Sequence, residues 1–298
     1  MSDTRKLRES LAFKIILIVV LVIVWILWAR SASCSNAGTG TKTEVSQVLP
    51  GDVRSLDVEV SSAEIRVTVS SSATAVTVNA SGRRLGDGAI NVETQKNGSY
   101  KVTVPVANRN WLSFWKKTAR LETLEVVIPA SLTLESLKAV TASGSLKADT
   151  LQCASSITLR CVSGRIDAGT LNAPQIDLQC TSGSIHCSVL RASAASVEDT
   201  SGSINIGLFA GPELELRAVS GSINLGGAEG LKKLSARDTS GTVTLNLGAV
   251  DPDIEASTTS GSIYANGVSA SRKYSRTGNG SCQVEATSVS GSVKLTWQ

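Results

Sequence analysis

The stretch TSGSIHCSVLRASAASVEDTSGSINI, residues 181–206, decides the fold. Ser-Gly-Ser-Ile occurs twice in it, with the two glycines, Gly183 and Gly202, 19 residues apart. Apolar and polar residues alternate on both sides of each glycine: Leu178, Ile185 and Cys187 around the first, Val197, Ile204 and Ile206 around the second. A period of two is the signature of a strand with one buried face. The glycine between two such runs marks a corner, where positive φ or a close backbone approach excludes a Cβ.

Working outward, the same element recurs at Gly144, Gly164, Gly183, Gly202, Gly221, Gly241, Gly261, Gly280 and Gly291, at intervals of 20, 19, 19, 19, 20, 20, 19 and finally 11 residues. The apolar positions keep step, as in the column Leu146, Ile166, Ile185, Ile204, Ile223, Val243, Ile263, Cys282 and Val293 two residues after each glycine. A unit of this length cannot bury its apolar face alone. Stacking equivalent units about 4.8 Å apart buries it continuously and satisfies the backbone between them. The pattern therefore predicts an all-β, single-domain parallel β-solenoid (β-helix) of about eight rungs with 19–20 residues per rung, over residues 137–298. An antiparallel sandwich is the competing fold, but it has no need of matching corners. The short last interval predicts a truncated final rung, with Trp297 covering the exposed core.

Upstream, residues 47–136 hold strand-like runs (LDVEV at 56–60, EIRVTV at 64–69, AVTVNA at 75–80, YKVTVPV at 100–106, LEVVIP at 124–129) without the regular corner. They read as a divergent β cap continuous with the repeats. Before them, residues 15–29 are uninterrupted apolar, and Leu11–Phe13 extend the run past Lys14. Residues 11–29 are long enough for a transmembrane anchor or signal segment, with Trp25 and Trp28 at the far interface. The basic residues of 1–10 predict a cytoplasmic N-terminus, and hence an extracytoplasmic body on a single-pass cytoplasmic (inner) membrane protein. Residues 30–46 read as a flexible stalk. Cleavage after the span and acylation at Cys34, in the Ser-Ala-Ser-Cys run, are the alternatives, the second giving a lipoprotein.

Composition agrees with a thin core. Aromatics make up 4% of the 298 residues and charged residues 18%, so a wide interior would be hard to fill. The net charge of +4 resides mostly in residues 1–30, which hold five basic and two acidic residues; the remainder holds 24 basic and 23 acidic. A nearly neutral body of interspersed charge excludes a nucleic-acid partner.

The apolar N-terminal span, the β region ending in VVIP (126–129) and the recurring TSGSI-type corners together resemble a bacterial family of β-strand-repeat envelope proteins known by the label "putative adhesin", some members of which belong to envelope stress-response systems. The resemblance covers about residues 50–298 and implies an envelope protein that binds or senses something. It brings no catalytic residues.

The residues offer little chemistry of their own. The one histidine, His186, falls at an outward position between Asp167 and Asn205 of neighbouring rungs, a solvated ladder. Asp177, Glu215 and Glu255 share an outer column with Thr158, Ser196 and Ser235 between them, which predicts acids two rungs, roughly 10 Å, apart. That is loose for a retaining carboxylate pair. Cys153, Cys161, Cys180, Cys187 and Cys282 lack metal-ligand spacing and read as core fillers, although Cys161 and Cys180 are in register for a disulfide. No metal site, cofactor or catalytic set is predicted, and the chain is read as non-enzymatic.

Two surface features remain. Residues 108–120 interleave Arg109, Trp111, Phe114, Trp115, Lys116 and Lys117, either a contact loop or aromatics capping the first rung. The corner serines form a polar column that more simply bonds its own backbone than orders ice. The leading expectation is a membrane-anchored binding, adhesion or envelope-sensing scaffold for a protein or glycan ligand. A polysaccharide-active lyase or hydrolase on the same fold is the alternative.

Overall fold

Gly183 and its neighbours lie in register between two equivalent segments. Ser182, Gly183, Ser184 and Ile185 pair in parallel with Ser163, Gly164, Arg165 and Ile166 on one side, and with Ser201, Gly202, Ser203 and Ile204 on the other. The computed structural model describes residues 42–85, 88–104 and 120–298, and within it this pairing repeats rung after rung. The described residues are all-β, in one largely parallel sheet that winds as a solenoid. A 3-10 turn at Lys96–Gly98 is the sole helical element among them, and none of their helices is long and apolar enough to cross a membrane. The predicted span at 11–29 lies outside the described residues.

Alternation sets which side chains face inward. In the strand Gln175–Arg191, Ile176, Leu178, Cys180, Ile185, Cys187 and Leu190 are buried, and the residues between them face out. Each fully buried Ile or Leu contributes about 1.5–3 kcal/mol. The interior is thin enough that Phe209 is its largest fully buried side chain. Gly183 has φ +152°, and a Cβ on it would lie 1.5 Å from the Gly164 carbonyl oxygen, so no larger residue fits the corner.

The order of rungs in space departs from their order in sequence at both ends. The strands Gln283–Ser290 and Val293–Thr296 pair with 233–246 on one side and with 253–265 on the other. The corners therefore run Gly144, Gly164, Gly183, Gly202, Gly221, Gly241, Gly291, Gly261. The eleven-residue interval is thus not a truncated end rung: the last segment is a full neighbour, slotted inside the stack. Trp297 accordingly does not cover an open end; it is half-buried beside the core, with Arg276 stacked 5.2 Å over its ring. Gly280 is not a corner. Its φ is +76°, a Cβ there would meet only Asp253 Oδ2 at 3.9 Å, and it lies in the loop that carries the chain back to the slot.

The turn responsible is Asn266-Gly267. Both residues have positive φ (46° and 84°), and Ile263–Ala265 pairs antiparallel with Val268–Ala270 across them. This is the two-residue hairpin that Asn-Gly favours. It sends the chain back, and Lys273–Arg276 then runs antiparallel to Asp253–Ser260 and closes that end.

The other end is built alike. Ser55–Ser62 and Glu64–Ser70 form a rung that pairs with 136–148 on one side, and with Ser99–Thr103 and Arg120–Pro129 on the other. Ala63 takes the corner position, since a Cβ on Gly144 would meet its carbonyl oxygen at 2.1 Å. Antiparallel strands finish this end: Arg120–Pro129 pairs with Thr77–Arg83, and that with Lys42–Val48. The predicted stalk therefore stops earlier than residue 46, because 42–46 are strand. The strands laid against the end rungs cover rung edges that would otherwise template association.

Candidate functional site

The strand before each corner presents three outward columns. In spatial order the middle one reads Lys101, Asp57, Lys138, Thr158, Asp177, Ser196, Glu215, Ser235, Glu285, Glu255. Beside it runs Glu59, Val140, Arg160, Gln179, Glu198, Arg217, Arg237, Thr287. Small hydroxyls between longer charged side chains leave a trough of about 520 Å³ across six rungs, from Ser156 and Thr158 to Arg237 and Glu285. At the rung spacing it is roughly 24 Å long. Ile176, Ala195 and Leu214 reach its floor, and Gln175, Asp177, Glu213, Glu215 and Lys233 line its sides.

Ion pairs hold the charged rims. Arg160 donates to Asp177 at 2.8 Å, the Arg217 Nε donates to Glu215 at 2.9 Å, and Arg237 donates to both Glu285 oxygens at 3.1 and 3.0 Å. Further along the face, Lys138 bridges Asp57 and Glu59 at 3.0 and 3.1 Å. Hydrogen bonding from Lys101, aided by Lys138, holds the Glu59 carboxyl below its usual range. Exposed pairs of this kind contribute about 0–1 kcal/mol each, so they order the surface more than they stabilise the fold.

The slotted rung changes the placement of the acids. Glu285 stands between Ser235 and Glu255, so Glu255 has a carboxylate one rung away, not two. Glu285 is already held by Arg237, and Glu255 falls outside the trough. Asp167, His186 and Asn205 do adjoin on neighbouring rungs, with His186 exposed. Among the described residues no cluster of three or more His, Cys, Asp or Glu is placed to hold a metal. Cys153, Cys161, Cys180, Cys187 and Cys282 are buried free thiols, and burial pushes Cys153 up to about 11 and Cys187 up to about 12. The predicted contact loop (Arg109, Trp111, Phe114, Trp115, Lys116, Lys117) and Cys34 lie outside the described residues.

Sequence reasoning missed the trough and the Ala63 corner. Ser62-Ala63-Glu64-Ile65 keeps the frame of Ser-Gly-Ser-Ile with the glycine replaced, which is the signal that would have found it.

The family model described as Toastrack DUF4097 matches residues 53–296. The chain belongs to this family. As a toastrack protein it is similar in fold to several solved structures. One is the "putative lipid binding protein" of Parabacteroides distasonis, with TM-score 0.55 and 15% identity over 87% of this chain and 98% of that one. Another is a "putative adhesin" of Bacteroides fragilis, with TM-score 0.50 and 12% identity over 86% and 97%. No curated protein matches the toastrack chain.

Proposed function

We propose that this toastrack chain is a membrane-tethered, extracytoplasmic scaffold that binds an envelope glycan or protein through its trough and does not transform it. The reading rests chiefly on the trough: a polar channel across six rungs, repeating hydroxyls and charges at the rung spacing. Such a periodic row suits an extended ligand with a repeating backbone. The "putative adhesin" name of the similar Bacteroides fragilis structure supports a binding role. The apolar segment 11–29 supplies the tether, with acylated Cys34 as the alternative.

The test is a pair of arginine substitutions, Ser196→Arg and Ser235→Arg, which fill the trough from the outward face. Co-sedimentation of the full-length chain with purified envelope polysaccharide and with envelope membranes should fall for the double variant, at unchanged thermal stability. Equal binding by both proteins would remove the trough as the contact face. One observation favours the enzymatic alternative, namely Glu255 and Glu285 on adjacent rungs. Depolymerisation of an envelope polysaccharide that disappears in Glu255→Gln would replace the scaffold reading with that one.

A further inference from the structure

The buried polar and charged residues of the described chain are Thr141, Asp199, Asp238, Thr258 and Ser288. All five occupy one column, the inward position three residues before the corner, which they share with Cys161, Cys180 and Ala218. Their outer atoms occupy one place relative to the corner. The point where a Cβ would sit on the rung's own glycine lies 3.2 Å from Cys161 Sγ, 3.3 Å from Cys180 Sγ, 2.7 Å from Asp199 Oδ2, 3.0 Å from Asp238 Oδ2 and 3.2 Å from Thr258 Oγ1.

In four rungs the atom at that place donates a hydrogen bond to the corner carbonyl of the adjacent rung. Thr141 Oγ1 donates to Ala63 O at 3.3 Å, Cys161 Sγ to Gly144 O at 3.2 Å, Cys180 Sγ to Gly164 O at 3.7 Å, and Thr258 Oγ1 to Gly291 O at 3.0 Å. The aspartates depart from this. Asp199 Oδ1 accepts from the Ser201 N–H at 3.2 Å and Asp238 Oδ1 from the Ser240 N–H at 3.3 Å, but each Oδ2 is buried without a partner. Ser288 Oγ in the slotted rung is likewise unpaired. The acceptors at the aspartate positions are Gly183 O and Gly221 O, which crowd the same points at 1.3 and 1.4 Å. An ionised carboxylate only accepts, so it would set a charge against a carbonyl oxygen with no proton between them.

We propose that in acidic surroundings Asp199 and Asp238 are neutral carboxylic acids in the folded protein, each donating its Oδ2 proton to the neighbouring corner carbonyl, Gly183 or Gly221, so that the stack is a pH-sensitive fold that is firmest in acid and loosens as its surroundings become neutral. The groups facing Asp199 on the column are the Cys180 thiol, with Cys161 beyond it, on one side and Ala218 on the other. The hydrogen bond with Cys161, together with burial, pushes the Cys180 thiol up, so it brings no charge. Asp238 faces Ala218 and Ser288. Burial drives Asp199 up from its ordinary 3.8 to about 6, against the pull of the Ser201 and Thr200 N–H groups, and it raises Asp238 likewise. The folded state therefore holds these protons more tightly than the unfolded chain. The stabilisation is complete below the unfolded value and is lost as pH rises through about 6. Asp199 lies on the strand Ala194–Ala210, which also carries Ser196, so the loosening reaches the trough.

Urea unfolding of the full-length chain in detergent, followed from about pH 4 to about pH 8, tests this. The folding constant should fall with rising pH, by a factor approaching tenfold per pH unit for each acid between its unfolded value of about 4 and its folded value, and level off above the latter. Asp199→Asn with Asp238→Asn places an amide N–H where the acid proton was. This variant should match wild type near pH 4, exceed it at about pH 8 and lose the pH dependence. A flat wild-type profile, or a double variant weaker than wild type at pH 8, overturns the proposal. If the variant does not fold, carbon-13 titration of the wild-type carboxyls decides. An Asp199 signal moving near pH 6 supports the proposal, and one moving near the free value of about 4 refutes it.

Discussion

Replacing Gly183 by alanine puts a methyl carbon 1.5 Å from the Gly164 carbonyl oxygen, on a residue held at φ +152°. Backbone conformation alone costs about 1–3 kcal/mol there for a residue with a side chain. The carbonyl cannot yield as a flexible side-chain end would, because it belongs to the paired backbone of the next rung. Separating the two rungs locally gives up one or two hydrogen bonds of about 1 kcal/mol each. Together the cost is about 2–5 kcal/mol, a large share of the 5–15 kcal/mol by which domains are ordinarily stable. Gly51→Ala is the control, since nothing lies within 4 Å of a Cβ there and its φ needs no glycine. Urea midpoints of the two full-length variants, at a pH where the wild type is most stable, give the comparison. If Gly183→Ala lies within 1 kcal/mol of Gly51→Ala, the corners do not set the rung spacing and the account of the stack fails.

Two further outcomes follow from the same geometry. Gly280→Ala should cost only about 1 kcal/mol, the price of a left-handed φ without a clash, because Gly280 lies outside the corner column; a loss as large as that of Gly183→Ala would return it to the column. Phe209→Ala removes the largest fully buried side chain and should destabilise by about 3–5 kcal/mol, read from the shift in unfolding midpoint at constant m-value.

The repeat was legible because one inward column recurs on every unit, and a backbone that must pair with its neighbours amplifies each small match. The order of the rungs was not. Leu234, Ile254 and Val284 present equivalent inward side chains, so pattern alone lets the 253–265 rung sit directly on 233–246. What decides against this is local turn chemistry at Asn266-Gly267, which reverses the chain. Gly280 was misread for a related reason. Asn279-Gly280-Ser281 imitates the corner tripeptide, but Asn279 uses its side chain to accept the Ser281 N–H in a local turn. Ala63 was invisible to a search keyed on glycine. Of the candidate site, the outward residues could be read one by one from the alternation. The trough depends on which of them stand side by side, and at Glu285 and Glu255 that follows from the reversal.

A strand at the rim of a sheet comes away one bond at a time when its free end is tugged. Residues 283–296 have a partner on each flank, so a pull on the chain just past them meets two rows of backbone bonds at once and has to drag the segment out lengthwise. Strain applied to this segment is thereby shared with the rungs on either side, and it resists fraying.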